Sequence, residues 1–362
     1  MVLMNTILFI LFGSSLGAHP HCVDESGDAV DWYIVYKFPY LSHSHSKLFG
    51  GYRYATLTSK SPVGWQLSSH NITDHKNSIF AKTLSPVYSS KSVSSVFYND
   101  QPPDDKSVSS HYAHSKGMLA SDEHQGFWLI HTVPHFAPSH GSYSYVASGG
   151  RYGQVAMCIS LSIEELTKVV DKNFLTAQPY VYHLHIASKT NNFGKALQKL
   201  KDEEWIKTNK YVDINLTSLG GVNFRSFYKS PGDHIDLYAG IVATSVNSPL
   251  LVETWRRNPG GVLESECSHP KTKVENVEEI KLSFKNSKEV GNFSYKDDHS
   301  KWAISGTKAS SKLVCLGDIN RMHSQFKRGG GTTCLSIPSV WDAFNSFVSD
   351  IEKCNVTNNQ LI

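Results

Sequence analysis

The chain has 362 residues, 40% of them apolar, and its 35 basic and 32 acidic side chains leave a formal charge of +3. That length holds one large core or two ordinary ones, and the lack of any low-complexity tract excludes a disordered protein. So small a charge argues only weakly for an anionic partner at neutral pH, but eighteen histidines would add up to eighteen charges near pH 5.

The first eighteen residues, MVLMNTILFILFGSSLGA, carry no charged side chain, and an apolar centre is followed by small residues. This reads as a secretory signal peptide over 1–18, although the usual basic residue near the start is missing. No later stretch is apolar for long enough to span a bilayer, so a soluble protein is expected. Short β-branched and aromatic runs predict strands at DWYIVYKF (31–38), VSSVFY (93–98) and GFWLIHTV (126–133). SIEELTKVVDKNF (162–174) predicts a helix, with a Ser162/Glu165 capping box and Ile163, Leu166, Val169, Val170 and Phe174 on one face. FGKALQKLKDEEWIKT (193–208) follows the same spacing. HIDLYAGIVA (234–243) and LLVETW (250–255) predict two more strands, and SVWDAFNSFVSDIEKC (339–354) a closing helix. Strands mixed with helices indicate an α/β or α+β chain with a sizeable sheet. Polar stretches at 40–47, 100–112 and 256–280 read as flexible, and none is long enough to be a linker between separate modules.

Six cysteines (Cys22, Cys158, Cys267, Cys315, Cys334 and Cys354) with no C-x-x-C pair suit disulfides in an oxidising compartment, although spacing alone leaves their pairing open. Sequons at Asn71, Asn215, Asn292 and Asn355 agree with secretion.

The tripeptide HSK occurs three times. The copy at 45–47 sits in the polar run LSHSHSK and reads as a surface loop. The copies at 114–116 and 299–301 share more: His135 lies 21 residues after His114, and Asn320 lies 21 after His299, each beyond an apolar strand pattern. Such a match implies an internal duplication in which each half contributes one His and one Lys. In an x-His-x-Lys-x strand the two side chains address one face, so imidazole and ammonium can meet the same anion. Two such sets around a phosphodiester provide a nucleophile, an acid for the leaving oxygen and balancing charge, with no metal required. A solvated strand end is the bland alternative for each pair taken singly.

At these residues the chain resembles the deoxyribonuclease II family, acid endonucleases related to the phospholipase D superfamily. CVDESGDAVDWYIVYKFP is similar to the family's opening, and YNDQPP precedes the first site. HSKGMLASDEHQGFWLIHTVPHF is similar to the first catalytic segment, DHSKW to the second, and GDINR with RGGGTTC to the closing one. The resemblance implies metal-independent cleavage of DNA to 3′-phosphate and 5′-hydroxyl ends, in lysosomes or outside the cell. It implies His114 with Lys116 as one half-site, His299 with Lys301 as the other, and Asn320 as a phosphate-holding residue. It also implies disulfides Cys22–Cys158, Cys267–Cys354 and Cys315–Cys334. Where many relatives end the first segment VPNF, this chain has His135, which can donate to phosphate but brings charge at low pH. The Asp of the phospholipase D pattern is absent at its spacing, where Ser121 stands with Asp122 one later.

The expected architecture is therefore an α/β, phospholipase D-like pseudo-dimer of two similar halves, 19–190 and 191–362, each a mixed sheet flanked by helices. DNA is the expected partner, no cofactor or membrane is called for, and a homodimer is left open. Two rivals are a secreted, catalytically weak relative that only binds nucleic acid, motivated by His135, and a lipid phosphodiesterase. His131, His135 and His140 have partial zinc spacing, but Pro134 intervenes and no Glu follows His131. His183 and His185 read as ordinary strand histidines. Lys327-Arg328-Gly329-Gly330-Gly331 lacks a P-loop ending and reads as a tight turn. Trp128 and Trp302 flank the half-sites and read as core side chains before base-stacking ones.

Overall fold

The computed structural model describes residues 19–104, 107–208, 210–257 and 259–354. The signal-peptide segment and the Asn355 sequon lie outside the described residues.

Strands β1 (Cys22–Val23) and β2 (Ala29–Val30) form a small hairpin ahead of two large sheets. The first sheet takes β3 (Trp32–Lys37), β4 (Arg53–Thr58), β5 (Ser61–Asn71), β6 (Ser94–Asn99), β7 (Lys116–Ser121), β8 (Gln125–His131), β9 (Gln154–Ser162) and β10 (Val181–His185). Its spatial order is β10-β6-β7-β8-β9-β3-β4-β5, antiparallel throughout. The second takes β11 (Tyr211–Thr217), β12 (Asn223–Lys229), β13 (Leu250–Thr254), β14 (Val274–Leu282), β15 (Gly291–Ser294), β16 (Lys301–Ser305), β17 (Leu313–Gly317), β18 (Gly330–Ser336) and β19 (Val348–Ile351). Its order is β11-β12-β18-β17-β16-β13-β14-β15, with β19 on β14 and one parallel pair, β13–β14. The chain is thus α/β, dominated by antiparallel and mixed sheet with few helices.

Both sheets contain one five-strand path. Reading β6-β7-β8-β9-β3 in the first against β13-β16-β17-β18-β12 in the second, the strands come in the same chain order, the same spatial order and the same directions. The sheets pack face to face over a common core: Trp32, Ile34 and Tyr36 of β3 and Trp128 and Ile130 of β8 meet Trp302 and Ile304 of β16 and Val314 and Leu316 of β17. The opposite faces are covered as well, around Tyr33, Val35, Phe97 and Leu129 in one half and Phe227, Leu250, Val252 and Ala303 in the other. Strands buried on both faces carry continuous apolar runs. This is why WYIVYK and GFWLIH stand out in the sequence. Trp128 and Trp302 are fully buried, their indole N–H groups donating to Tyr98 Oη (3.0 Å) and Tyr36 Oη (3.3 Å), which excludes them from base contact.

The helix expected at 162–174 forms, with Ser162 Oγ accepting from the Glu165 amide (3.3 Å), and turns into a π-helix over Val169–Phe174. The second runs only over Asn192–Lys201. The strand expected at 234–243 is a correction: Leu237–Val242 is π-helical and Ala243–Val246 α-helical. Asp236 caps it by accepting from the Tyr238 amide (3.1 Å), and Leu237, Tyr238, Ile241 and Val242 bury one stripe at helical spacing. A run of β-branched residues concealed that period. The closing helix spans Pro338–Asn345 and gives way to β19, because Val348 and Ile351 pair with β14. The polar stretch 256–280 likewise ends in β14.

Disulfides join Cys22 to Cys158, Cys267 to Cys354 and Cys315 to Cys334. The last links directly paired residues of β17 and β18 and closes the loop holding Asp318 and Asn320. Replacing both Cys315 and Cys334 with Ala is expected to cost about 3 kcal/mol of unfolding free energy, read from a denaturant titration. Asn71, Asn215 and Asn292 are exposed.

Candidate active site

His114 and Lys116 stand at the start of β7, and His299 and Lys301 at the start of β16, the matching strand of the other path. A cleft of about 630 Å³ is lined by both imidazoles together with Asn320, His135, Gln154, Tyr152, Trp255 and Arg257. A second hollow of about 660 Å³, between Asn215, Lys271 and Lys308, shares no lining residue with it and holds none of the expected catalytic or phosphate-binding residues.

Each imidazole is held by the other half. His114 Nδ1 lies 3.1 Å from the carbonyl of Asp318, the residue directly after β17. His299 Nδ1 lies 2.9 Å from the carbonyl of Thr132, directly after β8. A carbonyl only accepts, so both Nδ1 atoms carry hydrogen and the lone pair of each neutral ring sits on Nε2. The backbone follows the same rule. His114 N–H donates to Gly329 O (2.9 Å), just ahead of β18, and His299 N–H to Gly153 O (2.8 Å), just ahead of β9. A Cβ on Gly153 would collide with the Asp298 carboxylate, so glycine is required where the two chains approach. Lys37, ending β3, donates to the carbonyls of Gly150 and Tyr152; Lys229, ending β12, donates to those of Phe326 and Arg328. Equivalent buried ammonium groups thus clamp equivalent loops beneath the two histidines.

The lysines of the two HSK segments stand behind the rings, 3% and 1% exposed. Lys116 donates to Asp100, while Lys301 donates to the His299 carbonyl (2.7 Å) and lies 3.2 Å from Nδ1 and 3.4 Å from Nε2 of that ring. Asn320 is buried and faces the cleft with Oδ1 unpartnered among the described residues. His135 adopts a left-handed φ of 59°, which Asn tolerates better than His, and its Nδ1 lies 3.0 Å from Pro102 O. Strand register places Gly117 opposite Ile130 and Trp302 opposite Leu316, so the second hairpin is one residue longer and Asn320 matches Pro134. The equal offsets in sequence are therefore one residue out of step with the strands.

The remaining motifs separate from the site. His131 is buried with its ring 5.2 Å from that of Phe136, and among the described residues no group of three or more acidic, His or Cys side chains is placed to hold a metal. Ser121 and Asp122 organise the β7–β8 turn: Ser121 Oγ donates to Gln125 O (3.0 Å), and Asp122 accepts from the amides of His124 and Gln125. His183 contacts Ser95 Oγ at 3.2 Å and His140 at 5.7 Å between ring centroids, in a separate shallow hollow.

Four residues that motif reading missed complete the geometry. Asp100, directly after β6, accepts from Lys116 and from Arg328 (2.9 Å) and lies 3.9 Å from His114 Nε2. Trp255, directly after β13, has its ring centroid 4.9 Å from that of His299 and 4.3 Å from that of Tyr152, both in edge-to-face contacts. Burial pushes both histidines well below the usual imidazole range. At His114 the Asp100 carboxylate works against that shift, while Lys116, Arg328 and Lys301 add to it. At His299 the nearby charges, Lys301, Lys116 and His114, all deepen it, with only the Thr132 carbonyl opposing. Burial alone would raise Asp100, but Lys116, His114 and Arg328 together outweigh it and hold the carboxyl below the usual range.

Two imidazoles converging on one cleft, with cations behind them, are chemically equipped to supply a nucleophile and an acid to a phosphodiester. A family model described as deoxyribonuclease II matches residues 21–354. The chain is 33% identical to deoxyribonuclease-2-alpha of Mus musculus over 347 residues, 92% of this chain and 93% of that protein. It is 35% identical to the Rattus norvegicus deoxyribonuclease-2-alpha (92% and 94%) and 34% identical to plancitoxin-1 of Acanthaster planci (92% and 92%). The chain belongs to the deoxyribonuclease II family.

Proposed function

We propose that this protein is an acid endodeoxyribonuclease that hydrolyses DNA phosphodiesters without a metal, leaving 3′-phosphate and 5′-hydroxyl ends. The observation that carries the reading is the reciprocal hold on His114 and His299, which leaves two Nε2 atoms for one cleft. The shared five-strand path supports a phospholipase D-like pseudo-dimer, with the halves at 19–190 and 191–362 each supplying one half-site.

The half-sites differ in charge, and that difference assigns their roles. His114, beside Asp100, is the more readily protonated ring and serves as general acid. His299 has the Lys301 ammonium against its ring and no carboxylate among the groups that shift it most, and it attacks phosphorus through Nε2. The P–O5′ bond breaks, its electron pair leaves on O5′, and His114 delivers the proton that makes the 5′-hydroxyl. Water, deprotonated by His114, then displaces Nε2 from phosphorus and frees the 3′-phosphate. Asn320 steadies the non-bridging oxygens, and Lys116 and Lys301 offset their charge from behind the rings. His135 stands at the rim of the same cleft as a further contact to the phosphate backbone. Because burial depresses both imidazoles, a protonated acid and a neutral nucleophile coexist only within an acid window. A bell-shaped acid optimum follows. Entry into the secretory pathway, with lysosomal or extracellular delivery, suits three disulfides and an acid optimum; among the described residues no helix is long and apolar enough to cross a membrane.

Plasmid DNA incubated with purified protein and EDTA at pH 5 is expected to be cut, and at pH 7.5 to remain intact. Salt-sensitive retention of uncut DNA would instead make the protein a binder. Hydrolysis of phosphatidylcholine in preference to DNA would make it a lipid phosphodiesterase.

A further inference from the structure

The two five-strand paths allow residues to be matched by register alone. Asn99 pairs with Lys116 and Thr254 pairs with Lys301, so Asp100 and Trp255 occupy equivalent positions, one step beyond the strand. Arg328 and Tyr152 are equivalent too, each one residue ahead of the glycine that receives the histidine N–H. In the first half these two positions form an ion pair, Asp100 with Arg328. In the second they form an edge-to-face aromatic pair, Trp255 with Tyr152. The backbone frame is kept and its occupants have changed from charge to aromatic surface.

The aromatic pair stands at the cleft. Trp255, Tyr152 and Arg257 are all half-buried residues lining it, and Arg151 beside them is exposed. The Arg257 guanidinium lies 4.3 Å from the Trp255 ring centroid and 5.0 Å from that of Tyr152, and Arg151 lies 5.0 Å from Tyr152 on its own account. A wall of alternating rings and guanidinium groups thus runs outward from His299. The other lining residues, among them Gln101, Pro134, His135, Ser324 and Gln325, add no tryptophan, tyrosine or arginine. A core aromatic would be enclosed like Trp128 and Trp302; this pair is open on the side where a strand must pass.

We propose that Trp255 and Tyr152 form a nucleobase-stacking subsite on the His299 side of the cleft, with Arg257 and Arg151 taking the neighbouring backbone phosphate. This deepens the nuclease reading above and rests on it. Aromatic rings accept any base by its face, while guanidinium groups follow the backbone. In-line displacement puts the leaving 5′-oxygen on the His114 side. The stacked base is accordingly that of the nucleotide that keeps the phosphate, 5′ to the cut.

Single-stranded oligonucleotides with one abasic residue, cut by the full protein at pH 5 in EDTA and read bond by bond on a gel, test this. Wild-type protein is expected to cut the bond immediately 3′ of the abasic residue about ten-fold more slowly than the same bond in the intact strand. Trp255→Leu and Tyr152→Leu are expected to cut the two at equal rates, with the contrast abolished. If the rings merely support His299, the variants slow both bonds alike and keep the contrast, which overturns the proposal. If wild-type protein cuts nothing, the nuclease reading fails on its own, and the subsite is judged by binding. Trp255 emission must then be quenched by the intact oligonucleotide, a component missing in Trp255→Leu, and no such quenching would refute the subsite.

Discussion

Thymidine 3′-(p-nitrophenyl phosphate) is expected to separate the two imidazoles. On this ester His114→Asn should release its first equivalent of nitrophenolate within about ten-fold of the wild-type single-turnover rate while losing about 10³-fold or more on DNA, and His299→Asn should lose both activities. The reasoning is one of leaving groups. A 5′-alkoxide cannot depart without a proton, whereas nitrophenolate departs as the anion, so the residue that supplies the proton becomes dispensable for that first step and is needed only afterwards, as the base that frees the phosphate from Nε2. The nucleophile does not, since phosphorus must bond to Nε2 whichever group leaves. The asymmetry comes from surroundings, because both rings are held through Nδ1 by a carbonyl at nearly the same distance. What differs is a carboxylate 3.9 Å from Nε2 of His114 and an ammonium 3.4 Å from Nε2 of His299. If His299→Asn keeps the nitrophenyl ester activity and His114→Asn loses it, the assignment is reversed. Asn fills much of the imidazole's space and retains a donor for the facing carbonyl, so loss of fold is a weak explanation of either result; a thermal melt of both variants checks this.

The sequence exposed some of this site and concealed the rest for definite reasons. His114, Lys116, His299 and Lys301 were visible because a repeated tripeptide survives in one dimension, and β3, β6, β8 and β13 because strands enclosed on both faces read as unbroken apolar runs. Strands β4, β5, β11 and β12 did not stand out. Ser61–Asn71 mixes buried, half-buried and exposed positions without a regular alternation, and Tyr211–Thr217 sits at a sheet edge with polar residues outward. Asp100, Arg328, Trp255 and Tyr152 are a different case. Asp100 lies within YNDQPP, Arg328 opens RGGG, and Trp255 closes LLVETW, so all three were in plain view as letters. Their meaning depends on which loop of one half meets which strand of the other, and contacts between residues as far apart in sequence as Asp100 and Arg328 leave no local trace. The clamps of Lys37 and Lys229 were hidden for the same reason, each being an isolated lysine at the end of an apolar strand.

Asp100→Asn and Arg328→Gln are expected to move the pH profile in opposite directions. The Asp100 carboxylate favours protonated His114 and the Arg328 guanidinium disfavours it. Removing the carboxylate therefore lowers the pH at which His114 gains its proton, and the basic limb of kcat/KM shifts toward lower pH; removing the guanidinium shifts it upward. Both substitutions also weaken the fold, because Lys116 and Arg328 meet on one carboxylate that is 7% exposed. Breaking a buried pair by deleting one partner leaves an uncompensated charge, at a cost of about 3–5 kcal/mol for Asp100→Asn. The folded-state pKa of Asp100 is depressed, so the stability it contributes is present above its unfolded value and is lost only as pH falls through the folded one. The ion pair accordingly survives the acid range in which His114 works, and a melt at pH 5 should show the full penalty of its removal. General damage to the site would lower kcat/KM in both variants and displace both limbs the same way, or neither. Opposed shifts require a charge acting on His114 at the position where the other half carries Trp255.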